Sequence, residues 1–232
     1  MKHLSALRHL RSYGPSHLTR KAITLIFLTL MAVPAMAQDM RILALGDSLT
    51  QGYGLPDGEG FVPQLERWLA AHGHEAKVVN GGVSGDTTRG GLSRVEWSLA
   101  DDIDAMIVTL GGNDILRGLD PAETRKNLSG ILEAGKAAGV EMLLIGLPAS
   151  GNYGAEYKQS FDANYPDLAE EYGTLYEPSF FTGLTGGDPD PSKYLKYMQG
   201  DGIHPNAEGV KLIVDQIGPR VVELMERAKG GA

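Results

Sequence analysis

Short apolar runs alternate with amphipathic stretches along most of the chain. Runs of strand length stand at 41–45, 77–79, 105–110, 141–147 and, more weakly, 174–176. The first, RILAL, has no polar alternation and reads as a buried strand. Between the runs lie helical patterns. In GFVPQLERWLAAHG, Val62, Leu65, Trp68 and Leu69 share one face, and Gly73 can end the helix. In DPAETRKNLSGILEAGKAAG, Asp120 is a candidate cap, Pro121 takes the first helical position and Gly139 the end. A last pattern, GVKLIVDQIGPRVVELMERAKGG, carries Pro219, where a kink is expected. Strands alternating with helices predict an α/β sandwich around a parallel sheet. No internal repeat or interdomain linker interrupts it, and 182–194 reads as a long loop.

The first 37 residues follow another pattern. Lys2, Arg8, Arg11, Arg20 and Lys21 precede an apolar run at 22–33, and the first acidic residue is Asp39. Ala35 and Ala37 then make a small-x-small site. This is the layout of a secretory signal peptide cleaved after Ala37, leaving one domain over 38–232. An uncleaved anchor is the alternative, but a bilayer span needs about 20 apolar residues. Export to periplasm or medium is therefore expected, with no stable membrane anchor after cleavage.

Removing the leader sharpens the charge. The whole chain carries −8, from 21 Lys and Arg against 29 Asp and Glu; the leader holds five of the bases and none of the acids. The remainder is formally −13, which repels phosphate backbones, so no nucleic-acid partner is expected. The chain contains no cysteine, so it has no thiol nucleophile, disulfide or Cys-based metal site.

Candidate chemistry gathers where strands should end: GDS at 46–48, NGGVSGDT at 80–87 and GGND at 111–114. In open parallel sheets, ligands bind beyond those carboxyl ends. Ser48 allows three readings. A phosphate cradle lacks the Gly-Lys-Ser/Thr ending or the G-x-G-x-x-G spacing. A helix cap fits. A nucleophile fits only if a base is near. Of six histidines, three leave with the leader, and His72 and His74 flank a helix end. His204 remains, three residues after Asp201, in a loop where the carboxylate can reach one ring nitrogen. The alternative for that pair is capping of the last helix. Taken singly, the motifs leave cap and catalyst both open.

Taken in order, LALGDSLTQGYG, NGGVSGDT, LGGND and DGIHPN resemble the four sequence blocks of the GDSL, or SGNH, hydrolases, across nearly all of 40–227. The chain is most similar to the secreted bacterial arylesterase, acyl-thioesterase I and lysophospholipase L1 group. The resemblance implies a three-layer α/β/α sandwich on a five-stranded parallel, flavodoxin-like sheet. It implies a serine esterase acting on acyl esters, thioesters or lysophospholipids, without metal or cofactor. Ser48 would be the nucleophile, His204 the base and Asp201 its orienting acid. Ser48, Gly85 and Asn113 would donate to the oxyanion. Leu147, Pro148, Asn152 and Tyr153, in LPASGNYG, would line the substrate site, although Ser150 and Gly151 look like a local change in that loop. Asp47 and Asp114 would support their turns. A carbohydrate O-deacetylase of the same family and a non-catalytic exported acyl-ligand-binding protein are the alternatives.

Overall fold

β1 (Met40–Gly46) pairs in parallel on both sides, with β2 (Ala76–Gly82) and β3 (Ala105–Thr109). A central parallel strand has no face towards water, and residues 42–45 are all buried. β4 (Glu141–Ile145) and the short β5 (Leu175–Glu177) complete a five-stranded sheet in the order β2-β1-β3-β4-β5, every pair parallel. The order reverses between β1 and β3. Chains leaving these two strands depart to opposite faces, which opens a crevice at their carboxyl ends.

The computed structural model describes residues 40–186 and 193–230. The signal-peptide reading over 1–37 lies outside them, as does the middle of the loop expected at 182–194. The helices are α1 (Ser48–Gln51), α2 (Phe61–Ala71), α3 (Thr88–Ser98), α4 (Gly112–Leu116), α5 (Pro121–Ala138), α6 (Ala155–Tyr172), α7 (Thr182–Thr185) and α8 (Ala207–Gly230). Those that flank the sheet make the outer layers of an α/β/α sandwich. α2 packs on α8 in one group, and α3, α5 and α6 pack in succession in another. Among the described residues, no helix is long and apolar enough to cross a membrane.

α5 begins and ends as its residues dictate. Asp120 accepts from the Ala122 N–H at 2.9 Å, Pro121 follows, and Gly139 closes the helix at φ +73°. α2 buries Phe61, Val62, Leu65 and Leu69, with Trp68 half-buried against α8. There it lies so close to Gly218 that a Cβ would come within 2.5 Å of the indole. α8 continues unbroken through Pro219, so the expected kink does not interrupt it. The presumed loop at 182–194 opens as a helical turn, α7, rather than as irregular chain.

Candidate active site

Ser48 is the first residue of α1, reached by a sharp exit from β1. Gly46 is required there by space: a Cβ would lie 2.0 Å from Thr50 Oγ1 and 3.0 Å from the Thr109 carbonyl. Asp47 is the helix cap, its Oδ1 accepting from the Leu49 N–H at 3.0 Å. The capping role that the bare motif allowed to Ser48 therefore falls to its neighbour, and the serine hydroxyl is left to face the crevice. At the first helical position the Ser48 N–H has no partner within the helix itself.

His204 reaches that hydroxyl across 156 residues of sequence, with Nε2 2.8 Å from Ser48 Oγ. Its Nδ1 lies 2.6 Å from Asp201 Oδ2. Asp201 Oδ1 accepts the N–H groups of Ile203 (2.9 Å) and His204 (3.0 Å), an Asx turn that fixes carboxylate and ring together. The last helix is capped elsewhere, by Asn206, whose Oδ1 accepts from the Gly209 N–H. The His204 backbone N–H, then its imidazole and the Ile203 N–H, hold the Asp201 carboxyl down at about 2. An ionised carboxylate only accepts, so Nδ1 must donate. Nε2 of the neutral ring is then the acceptor facing the serine O–H.

The donors expected from the second and third blocks converge on the same cleft. Gly85 sits at φ +83°, a conformation that favours glycine, and its carbonyl accepts from Arg117 Nη2 at 2.8 Å. Asn113 lies in α4, directly beyond β3, and its Nδ2 donates to Asp47 Oδ2 at 3.3 Å. Asp114 is buried and pins three elements, accepting from the Thr88 N–H and from the hydroxyls of Thr88 and Thr124. Arg94 bridges Asp86 Oδ2 (2.7 Å) and the Gly46 carbonyl (2.8 Å), tying the second block to the end of β1.

The cleft encloses about 470 Å³. Ser48, Gly85, Asn113 and His204 form its polar floor, under walls that include Leu49, Tyr53, Ile115, Leu116, Phe181 and Ile203. Of the residues expected to line it, Leu147 and Pro148 do, together with Ser150. Asn152 and Tyr153 do not. The 3₁₀ turn Gly151–Tyr153 carries the Tyr153 ring onto Gly118, where its hydroxyl donates to the Leu116 carbonyl at 3.4 Å. Phe181 carried no signal in the sequence, because nothing local connects it to the four blocks, whereas Tyr53 stands inside the first block and its ring lies against His204. Ile203 belongs to the fourth block, and Ile115 and Leu116 directly follow the third. Among the described residues, no group of three His, Asp or Glu could hold a metal ion.

A doubly wound sheet with a hydroxyl–imidazole–carboxylate chain at its switch point is the architecture of a hydrolase that works by nucleophilic attack. Comparison with known proteins gives the particular family. Residues 44–212 match the GDSL-like Lipase/Acylhydrolase family. The chain is 34% identical over 199 residues to Esterase TesA of Pseudomonas aeruginosa, covering 85% of this chain and 96% of that one. It is 36% identical over 204 residues to thioesterase 1/protease 1/lysophospholipase L1 of Escherichia coli K12, covering 86% and 91%. Among solved structures it resembles AlinE4, a SGNH-hydrolase family esterase, at 43% identity and a TM-score of 0.66, over 82% of this chain and 98% of that one. The chain belongs to the GDSL-like lipase/acylhydrolase family, and it is an esterase with the SGNH-hydrolase fold.

Proposed function

We propose that this esterase works through an acyl-enzyme intermediate on Ser48. His204 Nε2 takes the hydroxyl proton as Oγ attacks the substrate carbonyl, and the imidazolium is stabilised by Asp201. The tetrahedral oxyanion is met by the N–H groups of Ser48 and Gly85 and by Asn113 Nδ2. Collapse expels the alcohol or thiol, which receives the proton from His204. Water, deprotonated by the same nitrogen, then attacks the acyl-enzyme and releases the acid. Support comes chiefly from the unbroken chain of 2.8 and 2.6 Å contacts from Ser48 through His204 to Asp201.

The substrate is an ester or thioester of a small or medium acyl chain, which the apolar walls can desolvate. Acyl thioesters and lysophospholipids are the natural candidates, given what the Escherichia coli relative is named for. The same apolar walls weigh against a sugar acetate. A panel of p-nitrophenyl esters, acyl-CoA thioesters, lysophospholipids and acetylated sugars tests this: hydrolysis of the acyl substrates is expected, and is lost in Ser48→Ala. Turnover restricted to acetylated sugars would contradict it, and binding without turnover would leave a carrier protein.

The basic leader, apolar run and Ala-x-Ala site support export, with the hydrolase domain spanning 38–232. N-terminal sequencing of the exported product should begin at Gln38; a mature protein that retains the leader would contradict it.

A further inference from the structure

Asp47 takes no part in the proton relay, yet it is a carboxylate buried to 2% exposure beside the reacting hydroxyl. Capping alone does not call for it. Asn and Ser cap about as well as Asp, and neither brings a charge that must be desolvated. Burial pushes the Asp47 carboxyl up to about 6 despite hydrogen bonds from Leu49 and Asn113 that pull it down. Its two oxygens are also divided between two partners. Oδ1 caps α1 through Leu49, while Oδ2 accepts from Asn113 Nδ2 and lies against Gly112, where a Cβ would approach it to 3.2 Å.

The second contact addresses a weakness of any carboxamide donor. The oxygen and nitrogen ends of an asparagine have nearly the same shape, and only the nitrogen end stabilises a developing negative charge. A reversed amide would present its own oxygen to the oxyanion. An ionised carboxylate accepts and never donates, so it selects the NH₂ on its side. One N–H of that group is then held by Asp47, and the other is free for the cleft.

We propose that Asp47 is a positioning residue that fixes the Asn113 carboxamide in its donating orientation. This rests on Asn113 serving as an oxyanion donor, and the test separates the two. Asp47→Asn offers one acceptor where the carboxylate offered two. It can keep the shorter bond to Leu49, and the amide end it turns to Asn113 competes as a donor. Asp47→Ser also keeps a cap but is too short to hold both partners.

Steady-state kinetics on a p-nitrophenyl ester should be measured for the wild type, Asp47→Asn, Asp47→Ser, Asn113→Ala and the Asp47→Asn/Asn113→Ala double variant. Both Asp47 variants should lower kcat roughly 10- to 100-fold with little change in KM, a part of what losing the donor itself costs. On the Asn113→Ala background the Asp47→Asn change should have almost no further effect, because nothing remains to orient. An equal fold-loss in both backgrounds, a loss confined to KM, or unchanged kcat in both Asp47 variants would overturn the proposal. Wild-type kcat in Asn113→Ala would instead remove Asn113 as a donor, and with it the reading on which the proposal rests.

Discussion

Two aspartates stand near Ser48 and have been driven in opposite directions. Asp47 adjoins the serine in sequence, lies in the buried turn after β1, and has its carboxyl raised to about 6, chiefly by desolvation. Asp201 is remote in sequence, sits in the loop before α8 with its side chain 37% exposed, and is held at about 2 by three N–H donors. Distance from Ser48 along the chain therefore says little about which carboxylate joins its imidazole partner. The exposed one is always ionised at working pH and faces an imidazole. The buried one faces a helix terminus and an amide. Burial without a cation makes a structural acid; donors without burial make a dependable anion.

The comparison breaks most visibly at Asp201. Asp201→Asn keeps an acceptor for the Asx turn but can present an N–H to Nδ1, favouring the wrong tautomer. A loss of kcat on the order of 10⁴-fold is expected by steady-state assay, and retention of more than a tenth of the activity would detach Asp201 from the relay. Asn113→Ala should cost less, about 10²- to 10³-fold in kcat, as for the loss of one oxyanion donor. The smallest effect is on stability and carries the opposite sign from the usual carboxylate. Asp47 has a folded value above its ordinary 3.8, so the folded state binds the extra proton between the two values. Its contribution is fully present below about pH 4 and is lost as pH rises through about 6. Two units correspond to on the order of 3 kcal/mol. The wild type should therefore lose stability relative to Asp47→Asn between pH 4 and 7 in denaturant titrations. Parallel pH curves for the two proteins would contradict it. Asp201 acts at the other end, its contribution present above pH 4 and lost as pH falls towards about 2.

Much of this was readable before any coordinates. β1, β3 and β4 announced themselves as apolar runs, because the inner strands of a parallel sheet are buried on both faces, whereas the edge strand β2 buries only Val78 and the run at β5 is weak. The Ser48, His204 and Asp201 constellation was implied by the resemblance that the four ordered motifs carry; elimination had only left His204 as the candidate base. Two long helices did not announce themselves. α3 buries only Thr88, Gly91 and Val95 and carries two glycines, so its apolar stripe is faint. α6 contains Pro166, a residue that ordinarily argues against a helix interior. The cleft walls were the least legible part. Phe181 arrives from beyond β5, and Tyr153 turns away to cover Gly118 although its motif suggested a lining role. Motifs report the polar floor and part of the walls, Leu49, Tyr53 and Ile203 among them; the placing of Phe181 and the turning away of Tyr153 come from long-range packing that no local pattern encodes.

The central claim is that Ser48 attacks while Asp47, its buried neighbour, does not. The direct test is to treat the protein with a fluorophosphonate and map the adduct by peptide mass spectrometry. One phosphonyl group on the peptide carrying Ser48, formed far more slowly in His204→Ala and absent in Ser48→Ala, is the predicted result. No adduct in the wild type, or one on another residue, would contradict the account.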